Sequence, residues 1–305
     1  MMSSRYRYLH LDVFTGEKFG GNQLAVFLDA RGLAAETMQA ATRELNFSES
    51  TFILPAERPD TDIRMRIFTP GREMPMAGHP TVGSAFALAM AGVIPAGRRR
   101  WVFGLNVGPT PVDIEWNGDR PAFVWMTQLR PAFGPVVTDV EAAARAIGLD
   151  GAAIRAAGLP VQEVSCGVPF VFIPLATRAQ VDAASPNVEA FDRLCEAAGV
   201  DNHAMFVFSR EPGPDGATAY SRMFAPGLGV FEDPATGSAS GPLGCYLVKH
   251  GVVPPERAGG MQSLQGVKMG RPSRVHIAIG LEDGEISRVQ VGGEAVLVGE
   301  GELIL

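Results

Sequence analysis

One pattern occurs twice in these 305 residues. "MAGHPTVGSAFALAMAGVIP" ends at Pro95, and "ATGSASGPLGCYLVKHGVVP" ends at Pro254. Laying Gly78 over Gly237, an offset of 159 (237 − 78), also brings Leu88 onto Leu247, Gly92 onto Gly251, Val93 onto Val252 and Pro95 onto Pro254. Upstream, Arg66, Phe68, Pro70 and Gly71 recur as Arg222, Phe224, Pro226 and Gly227 at 156, and Phe52 recurs as Phe206 at 154. So long a period is no solenoid. It marks a duplicated domain, so whatever one half folds into, the other half folds into as well.

Periodicity fills in the elements. "RYLHLDVF" and "QLAVFLD" read as strands joined by the glycine turn "TGEKFGGN". In "LAAETMQAATRELNF", Leu33, Met38, Ala41, Thr42 and Leu45 share a helical face, and "STFILP" reads as a buried strand. "DIRMRIFTP" alternates at Ile63, Met65 and Ile67, as a half-buried strand does. The helix expected over residues 80–91 is apolar nearly all round, so other elements must wrap it, and a dozen or so residues are too few to cross a bilayer. "RRWVFGLN", "TPVDIEW" and "PAFVWMTQ" close the first half as strands, with "NGDR" as a hairpin turn. "RPAFGPVV" reads as a linker and "TDVEAAARAIGL" as a helix capped by Thr138 or Asp139. "GVPFVFIPL" then takes the place of "GNQLAVFLD", and "NVEAFDRLCEAAGVDNHAMFVF" that of "AAETMQAATRELNFSESTFIL".

Composition narrows the function. A chain that is 46% hydrophobic can bury two sizeable cores. Its net charge of −7 argues against a nucleic-acid partner, which needs a basic face, and "GRRRW" at 97–101 reads as a solvated turn. Cys166, Cys195 and Cys245 have neither disulfide-framework nor zinc-site spacing and fit a reducing compartment. No signal-peptide or membrane-span pattern is visible, so the expectation is a cytoplasmic protein with no membrane partner.

The repeated turn suggests chemistry. Gly78-His79-Pro80-Thr81 and Thr236-Gly237-Ser238-Ala239 each place small residues and backbone N–H groups at the head of a buried helix. A helix N-terminus carries unsatisfied donors and about half a positive charge. Two of them facing each other would clamp one anion, of which a small carboxylate is the obvious candidate. Glycine at 78 and 237 lets a ligand approach the backbone closely. His79 lies in the first turn, Asp233 just before the second, and Glu49 in "NFSES" before a buried strand. Taken singly, such a glutamate is more often a solvated loop residue and such a histidine more often structural. The duplicate, however, carries His203 where Glu49 stands, so the symmetry breaks at a proton-carrying position. One acid/base residue rather than a matched pair points to one group moving one proton.

The blocks "DVFTGEKFGGNQLAVF", "NFSESTFIL", "RIFTPGREMPMAGHPTVGSA", "SRMFAPGLGVFEDPATGSASGPL" and "LQGVKMGRPS" resemble, over the whole chain, the phenazine-biosynthesis PhzF-like isomerase family. The resemblance implies an α+β, diaminopimelate epimerase-like fold: two pseudo-symmetric domains, each an antiparallel β-barrel around a central α-helix. Residues 1–128 with about 294–305 would form the first domain and 129–293 the second, with the active site in the cleft between them. It implies a homodimer and no cofactor, and the five histidines, His10, His79, His203, His250 and His276, show no metal-ligand cluster, so no metal is expected. The implied activity is a proton shift between carbons of a small cyclic or unsaturated carboxylate, similar to trans-2,3-dihydro-3-hydroxyanthranilate isomerisation. Glu49 would be the proton carrier, assisted by His79 and Asp233, with Ser48, Gly78, Gly237 and Ser238 contacting the substrate. A desolvated carboxyl can serve as base and then as acid. Burial would raise the Glu49 pKa and a protonated His79 would lower it, a contest the sequence leaves open.

The family's usual Gly-Asn-Pro is Gly21-Asn22-Gln23 here, which removes a turn proline but no titratable group. Related epimerases carry a cysteine at each helix-head turn, whereas these turns hold Gly78 and Gly237. Two alternatives stay open at this point: an amino-acid racemase or epimerase with non-thiol bases, and a non-catalytic carboxylate-binding protein.

Overall fold

The alternating N-terminal segment forms β1 (Arg5–Val13), which pairs antiparallel with β2 (Asn22–Phe27), Tyr8 opposite Phe27 and Val13 opposite Asn22. The structure, a computed structural model, describes residues 5–200, 204–226 and 230–305. His203 and Gly227, the repeat partners of Glu49 and Gly71, lie outside the described residues.

From β2 the chain crosses over through α1 (Ala35–Leu45), which buries Met38, Ala41 and Thr42, and returns as β3 (Glu49–Leu54), parallel to β2. A parallel return needs such a crossover, which a hairpin cannot supply. β4 (Ile63–Phe68) lies antiparallel to β3, and the short β5 (Glu73–Met74) doubles back along it. Next comes α2 (Gly78–Met90), every residue from Gly78 to Ala89 buried, as its all-round apolar sequence requires. It is the second crossover, leading to β6 (Arg100–Leu105), which runs parallel to β4. β7 (Gly108–Asn117) and β8 (Arg120–Gln128) finish as a hairpin, with Asn117 opposite Arg120. The chain's last strand, Ala295–Ile304, pairs antiparallel with β1, Arg5 opposite Ile304. These segments form one compact unit, running through Thr127 and resuming at Gly292–Leu305.

Gln128–Val291 forms the other unit. It opens with β9 (Ala132–Val137), α3 (Val140–Ala146), α4 (Gly151–Arg155), β10 (Val161–Ser165) and β11 (Pro169–Leu175). It continues through α5 (Arg178–Ala183), α6 (Val188–Ala198), β12 (Met205–Ser209), β13 (Ala219–Ala225) and β14 (Val230–Asp233). Then come α7 (Gly237–Lys249), β15 (Met261–Gln265), β16 (Ser273–Glu282) and β17 (Glu285–Gly293). The pairings repeat those of the first unit: β10–β11 antiparallel, β11–β12 parallel across helices, β12–β13 antiparallel, β13–β15 parallel across α7. Pairing within each unit is therefore mostly antiparallel, with two parallel pairs where a helix carries the chain across. β11 and β12 bury both faces: Val171, Ile173, Met205 and Val207 join the core under α3 and α6, while Phe170, Phe172, Phe206 and Phe208 join the core around α7.

"RPAFGPVV" is no linker; most of it is β9, paired with β10. Val136 faces Gln162 and Phe133 faces Val164, so Gly134 and Pro135 share a bulge opposite Glu163. There the missing proline N–H interrupts no ladder bond, which is how a strand carries a proline that reads as a breaker.

Candidate active site

In the first unit, Glu49 opens β3 and His79 is the second residue of α2. The strand and the helix are pinned together by the Thr51 and Ser84 hydroxyls, 2.8 Å apart. Glu49 Oε2 lies 3.1 Å from Nδ1 of His79, and the Asn22 amide nitrogen lies 3.2 Å from the same ring atom. Asn22 reaches it because Gly21 turns the chain with φ +60°, where a Cβ would sit 2.4 Å from the Val13 carbonyl oxygen. Burial holds the His79 pKa down at about 3, against a small opposing pull from a hydrogen bond with the Gln23 backbone. The ring is therefore uncharged at neutral pH, and no imidazolium stands beside Glu49. Ser48, next to Glu49, is half-buried, and Gly78 is buried at the helix head.

The helix head itself is open. Ala77 leads into α2 without a side-chain cap, and Pro80 contributes no N–H, so the Gly78 and His79 amides are its leading donors. The Thr81 hydroxyl caps nothing ahead of it; it donates back to Ala77 O at 2.7 Å.

In the second unit the corresponding serine repeats that bond, Ser240 Oγ donating to Thr236 O at 2.9 Å, and α7 likewise has no side-chain cap. Gly237 leads the helix and is buried, while Ser238 is half-buried. Asp233 closes β14, buried, with Oδ2 accepting the Thr236 hydroxyl at 2.6 Å. Gln128, a residue the sequence reading did not single out, donates to Gly237 O at 2.9 Å and so fixes the first residue of the helix. Gln265, likewise not singled out, is fully buried against Asp233 and Thr236.

A bidentate ion pair braces each turn. Arg66 grips Glu73 at 2.8 and 2.6 Å, and Arg222 grips Glu232 at 2.7 and 2.8 Å. Both guanidinium groups also lie over a phenylalanine ring, Phe68 and Phe224 respectively. The repeated Arg-x-Phe was the signal for this pair; its acidic partner was not, because seven residues separate Arg66 from Glu73 (73 − 66) but ten separate Arg222 from Glu232 (232 − 222).

None of the three cysteines falls in either helix-head turn. All three are free and buried, and Cys245, 3.9 Å from Cys166, has its thiol pushed far above the ordinary range by that neighbour and by burial. Neither helix-head turn holds a thiol, so two-thiol proton transfer has no groups to work with here.

A family model described as phenazine biosynthesis-like protein matches residues 11–301. An uncharacterised isomerase of Mesorhizobium japonicum is 37% identical over 98% of this chain and 98% of its own. The trans-2,3-dihydro-3-hydroxyanthranilate isomerase of Pseudomonas aeruginosa is 35% identical over 98% of this chain and 100% of its own. A phenazine biosynthesis protein of the PhzF family from Bacillus anthracis, solved by crystallography, superposes with a TM-score of 0.85 at 29% identity, covering 99% of this chain and 100% of its own.

Proposed function

Since the chain belongs to the phenazine biosynthesis-like family, has its α+β, diaminopimelate epimerase-like fold and is an isomerase, we propose that it moves one proton between carbons of a small cyclic or unsaturated carboxylate. Glu49 carries the proton, His79 and Asp233 assist, and Ser48, Gly78, Gly237 and Ser238 hold the substrate, chiefly at its carboxylate. The observation that carries the reading is the buried Glu49–His79 pair at the head of an uncapped helix. A neutral imidazole offers Glu49 one N–H that orients the carboxylate without the counter-charge that would weaken it as a base. Once Glu49 has taken the proton, the same ring can hold the acid in place for its return to a second carbon. The amides of Gly78 and Gly237, each leading a buried helix, offer donors and a partial positive charge to an anion. Preorganised placement supplies most of the rate.

The same reading makes the protein a cofactor-independent homodimer of the cytoplasm, where buried free thiols stay reduced. Among the described residues no helix is long and apolar enough to cross a membrane. The racemase alternative has no thiol pair to use. The non-catalytic alternative leaves the buried acid–imidazole contact without a purpose.

Turnover of trans-2,3-dihydro-3-hydroxyanthranilate in D2O tests the assignment. The wild type should place solvent deuterium in the product. Glu49→Gln should lower kcat by about a hundredfold or more, with ligand binding nearly intact. Undiminished turnover by that variant removes Glu49 from the role.

A further inference from the structure

We propose that Gln128 is a positioning residue for substrate binding: by holding the Gly237 carbonyl it aims the Ser238 N–H, the other end of the same peptide plane, at the substrate carboxylate. For the ligand the inference rests on the reading above; for the grip on the peptide it does not.

Gln128 and Gly237 belong to the same compact unit. A carbonyl oxygen can only accept, so the Gln128 atom 2.9 Å from Gly237 O must be Nε2. In a helix that oxygen also takes the N–H four residues on, and its second lone pair is left for Gln128. A trans peptide unit is planar, with its C=O and N–H pointing in opposite directions. Fixing Gly237 O therefore fixes the Ser238 N–H. A donor on the oxygen also polarises the unit and strengthens that N–H as a donor in turn. The next two amides, of Ala239 and Ser240, already donate to Thr236 O at 3.2 and 3.0 Å. That leaves Gly237 and Ser238 as the leading donors for an anion ahead of the helix.

The grip does nothing for the fold. Gln128 is only 7% exposed, and its Oε1 is buried with no hydrogen-bond partner among the described residues. An unmatched buried acceptor is destabilising, and turning the amide over would only set oxygen against oxygen at Gly237. The helix also stays bare where Gln128 crosses it. A Cβ on Gly241 would fall 1.9 Å from Gln128 Oε1 and 2.9 Å from a Val289 methyl, so glycine is kept inside a helix that it weakens. A methionine at 128 would fill the same space without the orphan oxygen. Both features are accounted for once the Gly237–Ser238 peptide has to be held for a ligand.

Gln128→Met in the full chain tests this, because it keeps the volume and removes both polar atoms. Its urea midpoint should match or exceed that of the wild type, as replacing an unmatched amide by an apolar group allows. Calorimetric titration with anthranilate, a planar carboxylate, should show binding weakened about 5- to 10-fold. Turnover of trans-2,3-dihydro-3-hydroxyanthranilate should show KM raised by a similar factor with kcat within about threefold, since an anion held throughout contributes equally to ground and transition states. Gly241→Ala, which crowds the Gln128 amide off the carbonyl while favouring the helix, should weaken anthranilate binding in the same way. Unaltered anthranilate affinity in either variant, no anthranilate binding by the wild type, or a Gln128→Met midpoint that falls along with affinity overturns the positioning role. If anthranilate responds to both variants as described but the wild type leaves the dihydro compound untouched, the grip on the peptide holds and the reaction assigned above is what fails.

Discussion

Nδ1 of His79 and Oε2 of Glu49 are 3.1 Å apart in surroundings that leave the two side chains only 3% and 12% exposed. On the other side of the ring, Nε2 is buried with no hydrogen-bond partner among the described residues. A charged imidazolium would bring a second N–H into that unpartnered position and would have to shed its water to do so, which is why the ring stays neutral far below its ordinary titration range. The contact is thus made with an uncharged ring whose Nδ1 is engaged and whose Nε2 is idle.

That neutrality carries a stability cost in acid. In the unfolded chain His79 titrates near 6.5, and in the fold near 3. Between those values the unfolded state holds the extra proton, so this group's contribution to stability is whole above about 6.5 and is progressively lost as pH falls toward 3. Each pH unit inside the window amounts to about 1.4 kcal/mol. Urea denaturation at about pH 7 and about pH 5 should show the wild type losing about 2 kcal/mol more across that interval than His79→Gln, which has no proton to take. Equal losses in the two proteins would mean that the ring is not held neutral by the fold.

The two repeated ion pairs separate by burial. Side-chain exposure is 8% for Arg222 and 12% for Glu232, against 22% and 26% for Arg66 and Glu73. Arg222 also donates to the carbonyls of Val181, Asp182 and Ala184 at 3.0, 3.1 and 2.7 Å, tying α5 to β13. Arg222→Met strands a buried carboxylate and three carbonyls and should cost about 3–5 kcal/mol. Arg66→Met leaves a partner that water reaches and should cost about 1 kcal/mol. Arg222→Lys should not rescue, since one ammonium cannot serve a bidentate acid and three carbonyls at once. Urea midpoints measured with an unchanged denaturant slope give the comparison, and equal costs for the two arginines would refute it.

The repeat made the helix heads legible, since the turn at Gly78 recurs at Gly237, and with them came the central helices and the order of strands. What stayed hidden depended on contacts between distant residues or on very short segments. α4 and α5 have five and six residues, too few for a helical period to appear, although Asp150 caps one and a Thr177–Gln180 capping box opens the other. "TGEKFGGN" reads as a glycine turn, yet the residue just before it and one within it are left-handed phenylalanines. Phe14 and Phe19 have φ of 67° and 70°, held by N–H bonds to Glu294 O and the Asp12 carboxylate, and residue type alone does not announce that. Glu49 and His79 were marked by their setting in the repeat. Asn22 and Gln265 were not, because an amide's importance lies in which atoms it faces.

Two left-handed glycines of the first and second units separate backbone conformation from close packing. Gly251, which follows α7, has φ +67° and open space where a Cβ would go. Gly21 has nearly the same φ, +60°, but a Cβ there would fall 2.4 Å from Val13 O and 2.6 Å from the Thr15 methyl. Gly251→Ala therefore meets only the left-handed penalty, about 1 kcal/mol. Gly21→Ala must also push aside a backbone carbonyl of β1, so its cost should reach about 3 kcal/mol or more. It should also lower turnover, because the displaced residue precedes Asn22, whose amide touches the His79 ring at 3.2 Å. Activity in Gly251→Ala should stay at the wild-type level, since that turn lies at the far end of α7 from Gly237. Urea denaturation and kcat measured on both variants decide the matter: equal destabilisation, or unaltered turnover in Gly21→Ala, would show that the tight Gly21 turn does not hold Asn22 against His79.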